Sequence, residues 1–415
     1  MDARAEVLAE IDRRRDEALE LGSGLIKRPS PNPPGDVRAA TEYLAAWLRQ
    51  RRLEARIIET RPEAGLLNFV IDAAGAGPGR HVILNGHTDT FPVGDRALWT
   101  ADPFSGSVVD GKIHGRGVSD MKGGLAASVM AFALLATRRQ AWRGRLTLAV
   151  VCDEETMGPW GANWLVDRDP KLTGDAVIIG EPSSPKTIRF GERGFVWVRV
   201  TTRGRSSHAA YPHHGWSAIT AMTRILAALG ALETRPWPVP DDFLRTIDTA
   251  RATTDELLGA GTTDVLSAVN VNPGTIRGGT KINLTADYCE ADVDIRLPPG
   301  VTGAAMLQHV GRIVRGERGA DYEVLRRSEP NYSSPDHELF ALMSKNVAET
   351  TGAAPGLTIG APATDSRVFR RAGMTVAVFG PRPYNLGAAD EYISVTDYLD
   401  TIRVHALTAL DFLTA

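Results

Sequence analysis

Short apolar runs closed by turn residues recur through the chain. Val82–Leu84, Leu146–Val151, Ala176–Ile179 and Met374–Phe379 each predict a buried strand. Apolar residues at three- and four-residue spacing predict helices over Val37–Leu53, Leu125–Ala136, Ala218–Leu232, Leu339–Thr350 and Val395–Leu413. Strand and helix in alternation imply an α/β fold with a mostly parallel sheet. The middle of the chain has another texture. Gly194–Thr202 and Leu284–Leu297 alternate apolar with polar residues, the period of antiparallel strands with one wet face. Helical patterns at Ser217–Leu232 and Gly303–Arg315 lie between and after them. This predicts an α+β domain over 192–315, inserted into an α/β domain made of 1–191 plus 316–415.

Composition narrows the function classes. The 415 residues carry 47 Lys+Arg against 50 Asp+Glu, a net charge of −3, which argues against a basic nucleic-acid binder. With 43% hydrophobic and 23% charged residues, the chain has the balance of a globular protein. Cys152 and Cys289 are the only cysteines, too few for a disulfide framework or a Cys-rich zinc site. The opening residues mix both charges around no apolar core, and the run Gly123–Ala136 is short for a bilayer. The expectation is a cytoplasmic protein with no membrane partner and no nucleic acid.

Four clusters could carry chemistry, and three of them follow a predicted strand, where ligands of open α/β sheets gather. In Asn85–Thr90 (NGHTDT), His87 and Asp89 stand two apart and point the same way in extended chain, which suits a metal ligand and its partner. A surface histidine near a turn is the plain alternative. In Gly115–Gly124 (GRGVSDMKGG), Asp120 opens a helix and could simply cap it, but four flanking glycines suggest a backbone bent for ligand approach. In Cys152–Gly158 (CDEETMG), Asp153, Glu154 and Glu155 repel one another unless a cation or a raised pKa relieves them; a solvated loop is the alternative. Glu181 follows Ala176–Ile179 in IGEPSS, a common turn sequence. One imidazole with several carboxylates is the donor set of a divalent site for Zn²⁺, Mn²⁺ or Co²⁺. Other chemistries fit less well: Ser206-Ser207-His208 lacks a nucleophile elbow, and Ala73–Gly79 (AAGAGPG) lacks a Walker lysine.

With these motifs in this order, the chain resembles the zinc amidohydrolase and exopeptidase family of aminoacylases, acetylornithine deacetylase, succinyl-diaminopimelate desuccinylase and glutamate-releasing carboxypeptidases. The likeness runs from Pro29–Asp36 (PSPNPPGD) to Glu391-Tyr392. It implies a catalytic domain of zinc-exopeptidase type with an inserted lid and dimerisation domain, hence a homodimer. By the same resemblance, His87, Asp120 and Glu181 would bind one metal, Asp89 would orient His87, and Glu155 would join Asp120 at a second metal. Glu154 would be the general base, and the peptide after Asp120 would be cis. Gly204–Ile219 resembles the family's lid motif, with Ser217 where Asn is usual; there His208 would stabilise an oxyanion in a neighbouring subunit. Ile282–Arg296 resembles an Asn and D-x-R element, so Asn283 would contact the oxyanion and Arg296 a substrate carboxylate, as a bidentate pair. Asp365 and Arg367 of PATDSR resemble a late motif near the substrate pocket.

One position departs from the pattern. The family's last metal ligand is a histidine four residues before the Glu of its terminal motif, and here Asn385–Ile393 (NLGAADEYI) has Gly387 there. The expectation is therefore one tight metal site, zinc first, with the second site doubtful. The expected reaction is hydrolysis of a C–N amide bond in a small carboxylate-bearing substrate, an N-acyl amino acid or dipeptide. Two other readings stay open: hydrolytic deamination of an aromatic amine or amidine in the same fold, and a non-catalytic family member.

Overall fold

The structure, a computed structural model, describes residues 3–415. The chain divides into two compact units, one of residues 1–190, 333–358 and 364–415, the other of residues 191–332 and 359–363.

The first unit is built on a sheet whose order is Arg56–Arg61, Leu66–Ala74, Arg145–Val151, His81–His87, Ala176–Ile179, Thr375–Val378, Thr187–Glu192. Its four central strands, from Arg145–Val151 to Thr375–Val378, run parallel, and the flanking ones are antiparallel. Those central strands are apolar almost throughout because both faces are covered. Ile83, Ala149, Val151, Val177 and Ile179 share one core cluster with Ala162 and Leu165 of the helix Ala162–Arg168, and with Val368 and Phe369 of the helix Ser366–Arg371. The pleat turns Val82, Leu84, Leu146 and Leu148 the other way, and they too are fully buried. The helix Gly123–Ala136 packs against the three strands His81–His87, Arg145–Val151 and Ala176–Ile179, and against the helix Val395–Thr414. All 14 of its residues are buried, so it shows no polar face. The apolar run Val118–Ala136 is long enough by composition to cross a bilayer, yet 94% of it lies inside the protein. The helix proper begins only at Gly123, because Asp120 (φ −125°, ψ 100°) and Met121 (φ −124°, ψ 27°) are not helical.

The second unit is a four-stranded antiparallel sheet, ordered Asn270–Gly278, Tyr288–Leu297, Gly194–Arg203, Ala320–Ser328. Val196, Val198 and Val200 alternate with outward residues and meet Ala291, Val293 and Ile295 on one face. Met222 and Ile225 of the helix Ala218–Gly230, with Met306 and Val310 of the helix Gly303–Arg315, close that core. The unit extends beyond the expected end at 315. Ala320–Ser328 pairs with Gly194–Arg203 as an edge strand, and its exposed, charged sequence (ADYEVLRRS) hides the strand period. The strand expected over 284–297 begins only at Tyr288.

Each core should respond to truncation as a packed interior. Phe132→Ala in the helix Gly123–Ala136 is expected to cost about 3–5 kcal/mol, read as the loss in unfolding free energy by urea titration of the purified protein.

Candidate metal centre

His87 ends its strand, and the loops after the neighbouring parallel strands bring the acids to it. The parallel register pairs His87 with Val151, which places the loop Cys152–Gly158 beside it; Ile179, two residues before Glu181, pairs with Asn85. His87 Nε2 lies 3.2 Å from Asp120 Oδ1, 3.4 Å from Glu181 Oε1 and 3.9 Å from Glu154 Oε2. Among the described residues, His87, Asp120 and Glu181 form the one group whose ligand atoms all fall within 4.8 Å of one another. The Asp120-Met121 peptide is cis, as the resemblance implies.

Asp89 stands beside His87 and also serves the neighbouring loop. His87 Nδ1 is 2.9 Å from the backbone carbonyl of Asp89, while the Asp89 carboxylate lies 3.5 Å away. That carboxylate also accepts the backbone N–H of Glu154 at Oδ1 (3.3 Å) and of Glu155 at Oδ2 (3.1 Å). The carbonyl fixes the imidazole tautomer, and the side chain holds the next strand's loop.

The electrostatics are those of a cavity with too little positive charge. Burial pushes Glu154 well above the usual carboxylate range, with Asp365 and Glu181 adding to it and His87 and Arg367 opposing. Burial and then Asp120 push Glu155 up to about 11 and Glu181 up to about 7. Burial works against charge on His87, but its contacts with Asp120, Asp89 and Glu181 prevail and raise it well above the ordinary imidazole value. Among the described residues, buried Glu155 Oε1 has no hydrogen-bond partner, and buried Glu181 Oε1 has only the 3.4 Å approach of His87 Nε2. Buried carboxylate oxygens without donors are costly, and a divalent cation relieves that cost. His, Asp and Glu donors converging in this way fit such an ion.

Arg367 Nη1 lies 3.6 Å from Glu154 Oε1 and donates to the Thr364 carbonyl at 2.5 Å, so the PATDSR segment borders the acid. Asp365 is buried at the start of the helix Ser366–Arg371 but makes no side-chain cap.

The remaining sequence candidates lie on the second unit. His208 and Asn283 are brought together there: Ala209 N donates to the Asn283 carbonyl at 3.0 Å, and His208 forms a bridge with Leu284. Both side chains are exposed, beside the fully exposed Ile282. His208 Nδ1 accepts from Ala210 N at 3.2 Å, which leaves Nε2 to carry the ring proton. Arg296 stands elsewhere, paired with Phe195 in the strand register. Its Nε and Nη2 both lie 2.9 Å from Asp294 Oδ2, so the acidic partner of Arg296 in this structure belongs to the chain itself. Ser217, in the Asn position of the lid motif, caps the helix Ala218–Gly230 by accepting from Thr220 N.

Several residues around the centre escape sequence reasoning. Glu391 and Arg116 are fully buried and joined at 2.6 Å, with Glu391 also accepting from Ser119 N (2.8 Å) and Gly117 N (3.2 Å). This carboxylate thus grips the loop that delivers Asp120. Arg116 Nη2 donates to the carbonyls of Gly387 and Ala388, each at 3.1 Å. Lys122 is buried with Nζ 2.6 Å from the Arg28 carbonyl, and burial lowers its pKa to about 7. The buried Asn32 donates to Asp89 Oδ2 at 2.9 Å. The available signals were weak: a glycine-rich run around Arg116, and two prolines after Asn32 marking a rigid turn. Gly387 has φ +72°, and a Cβ added there would have the Phe91 ring as its neighbour, at 3.7 Å. The position thus has space for a Cβ, while its left-handed backbone favours glycine.

Comparison with known proteins agrees with this arrangement. The profile of Peptidase family M20/M25/M40 matches residues 83–411. A succinyl-diaminopimelate desuccinylase of Cereibacter sphaeroides (strain ATCC 17025 / ATH 2.4.3) is 27% identical over 414 residues, covering 96% of this chain and 99% of the relative. The protein of that name from strain KD131 / KCTC 12085 is 31% identical over 390 residues, covering 91% and 94%. Among solved structures, the M20 family metallo-carboxypeptidase Sso-CP2 from Sulfolobus solfataricus superposes with a TM-score of 0.77 at 17% identity, over 95% of this chain and 99% of that one, and so shares the fold. With a family profile spanning most of its length and an imidazole-carboxylate cluster at the ends of its parallel strands, this chain belongs to Peptidase family M20/M25/M40 and is a metal-dependent hydrolase.

Proposed function

We propose that the chain hydrolyses the amide bond of an N-acyl amino acid, with N-succinyl amino acids the first substrates to test. The observation that carries this reading is Glu154. Its buried carboxylate lies 3.9 Å from His87 Nε2 and 3.6 Å from Arg367 Nη1, at the edge of the His87–Asp120–Glu181 cluster. The names of the relatives supply the acyl class.

His87, Asp120 and Glu181 hold one divalent cation, with zinc the expected ion and manganese or cobalt accepted by the same donors. Such an ion acidifies water toward a pKa of about 7 and polarises a carbonyl. Glu154 takes the proton of the attacking water and delivers it to the leaving nitrogen. Burial favours the protonated form of Glu154 and Arg367 favours the charged form, which suits a group that must accept and then return a proton. Asp89 keeps Glu154 in place through its backbone N–H. By the family resemblance, His208 would reach a neighbouring subunit's site and hold the carbonyl oxygen as it gains charge, with Asn283 a further contact to that oxygen. The Arg296 contacts with Asp294 use Nε and Nη2, so a substrate carboxylate is taken by Nη1. The second unit carries these last three residues and pairs two chains into a homodimer. With Gly387 in the histidine position, Glu155 and Asp120 alone do not retain a second ion.

Four outcomes test this reading. Glu154→Ala should keep its zinc, by elemental analysis, and lose about 10²–10⁴-fold in kcat on the best N-acyl amino acid; turnover close to wild type would remove Glu154 from the role. Ammonia released without a carboxylic acid product would replace amide hydrolysis with deamination. Zinc uptake at pH 7 should release protons, because the raised Glu181, Glu155 and His87 hold them until the cation displaces them. Calorimetric enthalpies should then depend on the buffer's ionisation enthalpy, and zinc affinity should fall as pH is lowered. After gel filtration, the wild type should retain one zinc per chain and Gly387→His two.

A further inference from the structure

The segment Pro29–Asp36 runs beside the end of the strand His81–His87. Ser30 Oγ donates to the Thr88 carbonyl at 2.6 Å, Thr90 N donates to the Ser30 carbonyl at 3.0 Å, and Asn32 N donates to the Thr90 carbonyl at 2.9 Å. These bonds run the segment alongside His87–Thr90 and leave the Asn32 side chain directed inward, buried. Its Nδ2 lies 2.9 Å from Asp89 Oδ2 and 3.3 Å from Asp153 Oδ1. The amide nitrogen carries two hydrogens, one for each carboxylate. Asn32 Oδ1 turns toward Gly35, at φ +94°, where an added Cβ would lie 3.0 Å from it.

Those two carboxylates bracket the turn that bears the acids. Asp89 takes the N–H of Glu154 and of Glu155. Asp153, itself in the left-handed region at φ 62°, accepts from Thr156 Oγ1 at 2.8 Å and Trp160 N at 3.3 Å. Asp89 and Asp153 are both buried acids, and the Asn32 amide is the donor they share. Without it, two carboxylates face one another in a poorly solvated space, and like charges there repel strongly.

We propose that Asn32 is a positioning residue: by bridging Asp89 and Asp153 it clamps the Glu154–Glu155 turn at the metal centre. The catalytic part of this proposal rests on the reading of Glu154 as the proton carrier. The positional part rests on the hydrogen bonds alone. Asn32 touches none of His87, Asp120 or Glu181 by hydrogen bond, so the clamp acts on the placement of Glu154 and leaves the cation's own donors in place.

The test pairs amide hydrogen exchange with metal content and kinetics on the full-length zinc-loaded protein. In Asn32→Asp, which keeps the shape and removes the donor, exchange at Glu154 and Glu155 should be at least about tenfold faster. Exchange elsewhere and zinc stoichiometry should stay at wild-type values. On the best N-succinyl amino acid, kcat should fall about 100-fold with KM within about threefold. Adding Asp153→Asn to that variant removes one of the converging charges and should restore part of the protection. Should Asn32→Asp fail to fold, Asn32→Leu, of similar shape and without donor or charge, reads the same amides. Unchanged exchange at Glu154 and Glu155 overturns the proposal. So does exchange raised equally throughout the unit with loss of zinc, which would make Asn32 a general structural residue. If the wild type cleaves no N-acyl amino acid, the proposed reaction fails, while exchange and zinc content still decide the role of Asn32.

Discussion

Four carboxylates within 3.9 Å of one imidazole, most of them removed from water, are the constraint around which this fold is arranged. Such a group is unfavourable by itself, since each buried charge loses hydration and gains like-charged neighbours. The parallel sheet makes the concentration possible, because its strands end together and their loops are free of ladder hydrogen bonds. A cation converts the same repulsion into binding energy. The flanking architecture then has one task, which is to hold acids close together against their mutual repulsion.

That task is distributed over segments far apart in the chain. Asp89 reaches across to the backbone of Glu154 and Glu155, and Asn32 reaches in to Asp89. Glu391 holds the backbone of Gly117 and Ser119, with Arg116 neutralising it. Asp89 and Glu391 are each fastened to the main chain of a loop that bears acids of the centre. Backbone amides are well suited to this, because their positions do not depend on side-chain rotamers. The loops that bear the acids can thus lack regular structure and still be exact in position.

The central strands and the acids at their ends were legible in the sequence, because an apolar run followed by His87, by Glu154 and Glu155, or by Glu181 is a local signal. The sequence motifs also carried the cis peptide after Asp120 and the absence of a histidine at 387. What escaped was long-range or two-sided. The edge strands Asn270–Gly278 and Ala320–Ser328 are largely exposed, and the first contains Pro273 and Gly274, so no clean period marks either. The domain end at 315 was set too early for that reason. Spacing and family resemblance pair the Asp89 carboxylate with His87, but they carry no sign of the two backbone donors from another strand's loop that also bind it. Arg116 and Glu391 belong together only after folding, with 275 positions between them. No window along the chain contains both.

The distance between those two partners bears on how the centre is held. A stretch of chain ending near residue 330 already contains all three donors, His87, Asp120 and Glu181. It does not yet contain Glu391, whose carboxylate fastens the Gly117–Ser119 backbone, or the strand Thr375–Val378 that lies beside Ala176–Ile179. The loop that delivers Asp120 and the strand that precedes Glu181 therefore gain these supports only from residues 375–391, far along the chain from the donors themselves.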